Sequence, residues 1–136
     1  MQNIEALQQQ YPGAKAWAMG DSPALANQLA ALVVAGKKTA TCGSLSAFCQ
    51  DDDAPKPGSY HILLDGQGAP VCVIRIMALR VVRFCDVTEA LARQEGEGDL
   101  SLDYWRTAHL AFFTRAGSFS EEMELVVEEF TVVAVL

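Results

Sequence analysis

A chain of 136 residues, 51% of them hydrophobic, can bury one sizeable core and is too short for two comfortable ones, so a single domain over residues 1–136 is expected. Its formal charge of −7 argues against a surface that grips nucleic acid over its whole extent. The charge is uneven, however: residues 1–83 carry seven Lys or Arg against six Asp or Glu, and residues 84–136 carry three against eleven. A local positive cleft in the first half is therefore compatible with phosphate, while the acidic second half repels nonspecific duplex.

No basic segment followed by a long apolar run opens the sequence, and the most apolar stretch, residues 69–82, is interrupted by Arg75 and Arg80. Neither a secretory leader nor a membrane span is expected, and a soluble cytoplasmic protein follows. Cys42, Cys49, Cys72 and Cys85 form no CxxC pair and read as buried thiols. With only His61 and His109 to supply imidazole, and no ligand spacing, no metal and no organic cofactor are expected.

In chain order, Ile4, Leu7 and Tyr11 outline a short helix, Pro12-Gly13 a turn, and Ala16-Trp17-Ala18-Met19 a short apolar run. Trp17 fits two roles, a stacking platform for a base or a core or lid aromatic. Asp21 or Ser22 caps a second helix with Pro23 in its first turn; Leu25, Leu29, Leu32 and Val33 share a face, and Gly36 suits its end. Lys37 and Lys38 then lie where a helix dipole favours cations, which is reason enough for the pair. Thr39, Thr41 and Cys42 open a strand. Strict alternation would place Lys38 opposite Thr39 and Thr41, so a pocket using Lys38 with Thr41 requires a turn, a bulge or a helical residue at the junction.

Residues 44–58 read as a loop, and Asp51-Asp52-Asp53 within it lacks a calcium-loop pattern and reads as solvated. Tyr60–Leu64 reads as a strand, Asp65-Gly66-Gln67-Gly68 as a hairpin turn, and residues 70–82 as a long bulged strand. His61 reads as an edge-strand surface residue; Arg75 and Arg80 either line a cleft or face solvent. Thr88 caps a helix from Glu89 toward Gln94, followed by the acidic turn Glu95-Gly96-Glu97-Gly98-Asp99, which is not a strand-to-helix phosphate fingerprint. Ser101 caps a clearer helix carrying Leu102, Trp105, His109, Phe112 and Phe113, with Trp105 and His109 on adjacent turns. Residues 123–135 read as a closing strand pair or one long strand, and Glu124, Glu128 and Glu129 are expected to face water. The result is an α+β chain with a curved sheet or small barrel.

Gly36-Lys37-Lys38-Thr39-Ala40-Thr41, together with Trp17-Ala18-Met19-Gly20-Asp21, Pro57-Gly58, Glu95-Gly96-Glu97-Gly98-Asp99 and Trp105 through His109, resembles the ASCH domain family, from about Trp17 to the final strand. The resemblance implies a PUA-like curved β-barrel with flanking helices and a cleft associated with RNA or modified nucleosides. Some ASCH proteins are N4-acetylcytidine amidohydrolases that use a lysine, a threonine three residues later and a distant glutamate. Lys38, Thr41 and Glu95 match these. Cys42-Gly43-Ser44 stands where the characterised small hydrolases carry an arginine-containing continuation, and the run from Glu95 to Asp99 is extended. On this pattern neutral Lys38 would take the Thr41 proton, Thr41 would attack an amide carbonyl, and Glu95 would orient Lys38 or shuttle a proton to the leaving amine. Two alternatives remain within the resemblance, a ribonuclease cleaving single-stranded RNA and a non-catalytic RNA-binding module. In these Lys37, Lys38, Arg75 and Arg80 would meet the ligand's charge while Trp17 or Tyr60 stacks a base.

Overall fold

The computed structural model describes residues 3–136. A five-stranded sheet is assembled in the order β1 (Lys15–Ala18), β3 (Tyr60–Leu64), β4 (Pro70–Arg83), β5 (Glu124–Val135), β2 (Ala40–Ser44). Only β1 and β3 run parallel; the other neighbours are antiparallel. The long β4–β5 ladder is the spine, and its register shifts at Val73/Ile74 and Ile76/Ala78. Such bulges add twist and bend the sheet, which curls as a half-barrel. The long bulged strand read from the sequence is β4.

Each helix begins where its cap residue allows. Asn3 caps α1 (Ile4–Gln10), Ser22 caps α2 (Pro23–Val34), Thr88 caps α4 (Glu89–Glu95) and Ser101 caps α5 (Leu102–Arg115), each side-chain oxygen accepting from an amide three residues on. The stretch read as a loop from Ser44 contains a further short helix, α3 (Leu45–Gln50), capped by Ser44 itself. Its six residues are too few to display a helical period, so no pattern marked it. Among the cysteines Cys72 is buried, Cys42 and Cys85 are half-buried, and Cys49 on α3 is exposed, which corrects the expectation of four buried thiols.

The helices cover opposite faces of the sheet. Leu29, Ala30 and Val33 of α2 pack on Leu63, Ile74, Ile76 and Phe130. Leu91 and Ala92 of α4 and Trp105 and Phe113 of α5 pack on Ala40, Leu125 and Val127. Leu7 of α1 closes a smaller cluster with Ala14, Ile62 and Val73. No helix among the described residues is long and apolar enough to cross a membrane.

The connection from α2 to β2 is held by backbone on three sides. The Lys37 and Lys38 amides both donate to Leu32 O, the Thr39 amide donates to Gln94 O of α4 at 2.7 Å, and Thr39 O accepts from Phe130 N of β5 at 3.1 Å. At the end of α4, Gly96 adopts the left-handed conformation, φ +70°, and a Cβ there would stand 2.2 Å from Lys37 O. Gly96 thus lets the α4 terminus touch the lysine segment directly.

Gly96→Ala is expected to destabilise the protein by about 3 kcal/mol, combining left-handed strain with overpacking. Gly117→Ala is the control, because Gly117 also has positive φ (+76°) but open space around it; it should lose only about 1 kcal/mol. Urea denaturation of the two variants measures the difference.

Candidate functional site

The α2–β2 connection is irregular at Lys37–Thr39, which supplies the junction that a pocket with Lys38 and Thr41 requires. Lys38 turns inward and is only 1% exposed. Its Nζ donates to Glu95 Oε1 at 3.0 Å, to Glu97 Oε2 at 3.1 Å and to the Glu95 carbonyl oxygen at 3.4 Å. Those three acceptors use all the donors of an ammonium. Burial pulls the Lys38 pKa down, but the Glu95 and Glu97 carboxylates outweigh it and raise the pKa above its ordinary value. Lys38 is therefore a buried cation, which corrects the expectation of a neutral lysine.

Glu95 ends α4 and is also 1% exposed. Its Oε2 accepts from the Trp105 indole N–H and lies 3.3 Å from His109 Nε2. His109 Nδ1 lies 2.9 Å from the Trp105 carbonyl oxygen, and the two rings stack at 4.1 Å. Burial would push the Glu95 carboxyl up; Lys38, His109 and Trp105 together hold it well below the usual carboxylate range. His109 is likewise pulled down by burial and raised overall by Glu95. The adjacent helical turns that carry Trp105 and His109 thus stack the two rings, and their contacts serve the charged centre.

Beside this centre lies a cavity of about 250 Å³ lined by Lys38, Thr41, Cys42, Glu95, Glu97 and His109, among others. Thr41 and Cys42 of β2 bring a hydroxyl and a thiol to it. Burial, and then Glu95, push the Cys42 thiol far up, so it stays protonated and unreactive. Glu95, Glu97 and His109 each offer a donor atom within 4.8 Å of the others, a spacing that suits a metal ion. The Lys38 ammonium already bridges the two carboxylates and supplies the positive charge such an ion would bring.

A larger cavity of about 560 Å³ is lined by Trp17, His61, Lys15, Asp51, Asp53 and Glu128, among others. His61 is not a surface residue: it is 4% exposed, because β3 lies between β1 and β4. It accepts at Nδ1 from the Trp17 indole N–H at 3.1 Å, while Nε2 lies 2.9 Å from Ser59 Oγ. Burial lowers its pKa, with Lys15 adding to the effect.

Glu128 is a second correction. Expected to face water, it is 9% exposed, and its buried Oε1 has no hydrogen-bond partner among the described residues. Glu128 and Glu129 are successive strand residues and point to opposite faces, so they cannot share one solvent side. Burial pushes the Glu128 carboxyl up to about 7, partly offset by Lys38. Glu128 is the direct cross-strand partner of Thr41. One member of this pair lines each cavity.

The remaining sequence candidates lie elsewhere. Lys37 is exposed, and Tyr60 packs in a tilted pair with Tyr11 and lies under the Arg75 guanidinium. Arg75 also donates to Gly58 O, and Arg80 pairs with Glu129 at 3.2 Å. None of these four lines either cavity.

The ASCH domain profile matches residues 15–134, and the chain belongs to that family. The crystal structure of an ASCH domain from Lactobacillus crispatus is 33% identical, with a TM-score of 0.85 over 97% of this chain and 86% of that one. A protein from Enterococcus faecalis V583, assigned to family DUF984, is 38% identical, with a TM-score of 0.80 over 89% and 77% of the two chains. A hypothetical protein of known structure, 14% identical with a TM-score of 0.57, shares the fold alone over 88% of this chain and 97% of its own. No curated protein matches the sequence. The fold is thus the PUA-like ASCH arrangement, a curled sheet with flanking helices.

Breaking the buried pair with Glu95→Gln should cost about 3–5 kcal/mol, because Lys38 then keeps only one carboxylate; urea denaturation measures it. Glu128 has the opposite sign of effect. Its folded pKa, about 7, lies above the ordinary 4.5, so its stabilising contribution is complete below 4.5 and is lost as pH rises through 7. Relative to Glu128→Gln, the wild type should lose about 3 kcal/mol of stability over that interval. Denaturation of both proteins across the pH range checks this difference.

Proposed function

We propose that this ASCH-family protein is a cytoplasmic amidohydrolase that removes the acyl group from an N4-acylated cytidine or a related modified nucleoside, with Thr41 as the nucleophile. The observation that carries the reading is a buried ammonium, Lys38, lining the same small cavity as the Thr41 hydroxyl. The neighbouring thiol of Cys42 is held protonated, which leaves the hydroxyl as the nucleophile.

In this reading the acyl carbonyl sits against Thr41 and Lys38, and the nucleobase extends into the larger cavity, where the Trp17 indole offers a stacking face. Two Lys38 donors remain on Glu95 and Glu97. The third, in its long 3.4 Å contact with the Glu95 carbonyl, is the one a substrate oxygen can take over. Lys38 then stabilises the charge that develops on that oxygen when Thr41 attacks. Glu95 does not move protons in this scheme. Its carboxylate already accepts from Lys38 and Trp105 and meets His109, so it fixes the lysine in place.

The ribonuclease alternative has less support, since Arg75 and Arg80, its expected phosphate contacts, are engaged with Gly58 and Glu129 away from both cavities. Purified wild type is expected to convert N4-acetylcytidine to cytidine and acetate, read by mass spectrometry. Thr41→Ala should lower the rate on the order of 10³-fold. Cleavage of single-stranded RNA without acetate release would replace this reading with the nuclease one, and RNA binding without either product would favour a non-catalytic module.

A further inference from the structure

Acyl transfer from an amide needs a group that takes the Thr41 proton and later delivers one to the leaving amine. The familiar partner, the lysine, is unsuitable here. Lys38 has no lone pair to offer, being held as an ammonium between Glu95 and Glu97. Glu95 is occupied by Lys38, Trp105 and His109, and Glu97 is tied to Lys38. Cys42 is a neutral thiol. Lys38, Cys42, Glu95, Glu97 and His109, the titratable groups of the charged centre beside Thr41, are therefore already committed.

We infer that Glu128 is the general base and acid of this site, acting directly on Thr41 from the neighbouring strand. The inference rests on the amidohydrolase reading and adds a catalytic residue to it. Thr41 and Glu128 are register partners in the β2–β5 ladder, so their side chains leave the same face of the sheet. Directly opposed Cβ atoms stand about 5 Å apart, within the span of a glutamate reaching a threonine hydroxyl. Across its other ladder Glu128 faces Leu79, which offers no hydrogen bond. Glu128 Oε1, buried and without a hydrogen-bond partner among the described residues, thus stands on the strand adjoining Thr41, and the contact between them forms only when the glutamate swings onto the hydroxyl.

The surroundings suit the task. The titratable and charged groups about Glu128 are Lys38, which lowers its pKa, the neutral thiol of Cys42, and the larger cavity's Lys15, Asp51, Asp53 and His61. Burial dominates these and brings the carboxyl to about 7, where it can both accept and donate a proton near neutrality. Glu95 and Glu128 therefore divide the carboxylate roles by environment: the partnered one stays ionised, and the partnerless one exchanges protons.

The steps balance. Glu128 carboxylate takes the Thr41 hydroxyl proton as Oγ1 bonds to the acyl carbon, and the carbonyl electron pair moves to the oxygen facing Lys38. Collapse breaks the C–N bond, and protonated Glu128 gives its proton to the departing amine nitrogen. Water then attacks the Thr41 ester, losing a proton to Glu128; the C–Oγ1 bond breaks, and that proton returns to Thr41. The sum is amide plus water giving amine plus carboxylic acid, with no other reactant.

The test is the pH profile of N4-acetylcytidine hydrolysis by wild type, Glu128→Gln and Glu128→Asp. Wild-type kcat should rise through about pH 7 as Glu128 ionises. Glu128→Gln should lower kcat on the order of 10²–10⁴-fold, with KM changed by less than about threefold, and abolish that acid limb. Glu128→Asp should keep the limb at an intermediate rate, which a merely structural role would not produce. A Glu128→Gln protein with wild-type kcat and an intact limb overturns the inference alone. Wild type that releases no acetate at any pH overturns the amidohydrolase reading and this inference together. Should Glu128→Gln fail to fold, Glu128→Asp decides: a kcat at least about tenfold down with the limb retained supports the assignment, and an unchanged kcat removes it.

Discussion

The buried ion pair between Lys38 and Glu95 is the constraint on which the rest of this structure depends. Two charges that are each 1% exposed carry a desolvation cost that their mutual attraction offsets only with good geometry and further hydrogen bonds. The fold supplies both. Lys38 is placed by a segment clipped to α2, α4 and β5 through main-chain bonds, and Glu95 by the last turn of α4. Trp105 and His109, one turn apart on α5, meet the remaining oxygen of Glu95. α2, α4, α5 and β5 thus all bear on one buried ion pair. The close approach at Gly96 is a condition for that convergence, since a side chain there would separate α4 from the lysine segment.

Two glutamates of the same chemical type end up in opposite states because of what surrounds them. Glu95 is the more deeply buried, yet its partners hold it ionised; Glu128 is slightly more exposed, yet without a hydrogen bond to Oε1 its charge is disfavoured. Burial alone therefore does not decide protonation; the number of donors supplied does. An environment that separates two carboxyl groups in this way leaves one as a fixed charge and the other able to take up a proton near neutrality.

Much of this was legible in the sequence. Cap residues Ser22, Thr88 and Ser101 announced their helices, Gly36 and the Asp65–Gly68 turn their boundaries, and alternation the long strands. The lysine, threonine and glutamate matched by resemblance do line one cavity. What stayed hidden depended on strand order and on which faces are covered. His61 looked like an edge residue because nothing local says that β1, far earlier in the chain, pairs in parallel with β3. Glu128 looked solvated because it sits in a run with Glu129, and only the covered second face of β5 buries one of the two. Reading Glu128-Glu129 strictly by strand alternation would have flagged that one of them faces inward. The lysine's charge state was undetermined for a similar reason: Glu97 joins Glu95 on Nζ only after the turn at Gly96.

The placement of charge also bears on the form of substrate that the proposed chemistry would accept. The larger cavity carries Asp51 and Asp53, with Glu128 adding charge only where it ionises, against a single cation, Lys15, itself paired to Asp53 at 2.9 Å. A nucleic-acid strand brings a phosphate at every nucleotide, and a mouth with this balance repels it. A free nucleoside is uncharged and meets no such opposition, while its base can still find the Trp17 face. The exposed arginines are engaged elsewhere, Arg80 with Glu129 and Arg75 over the Tyr60 ring. On electrostatic grounds, then, the proposed chemistry would be better served by a free N-acylated nucleoside than by the same base within a strand.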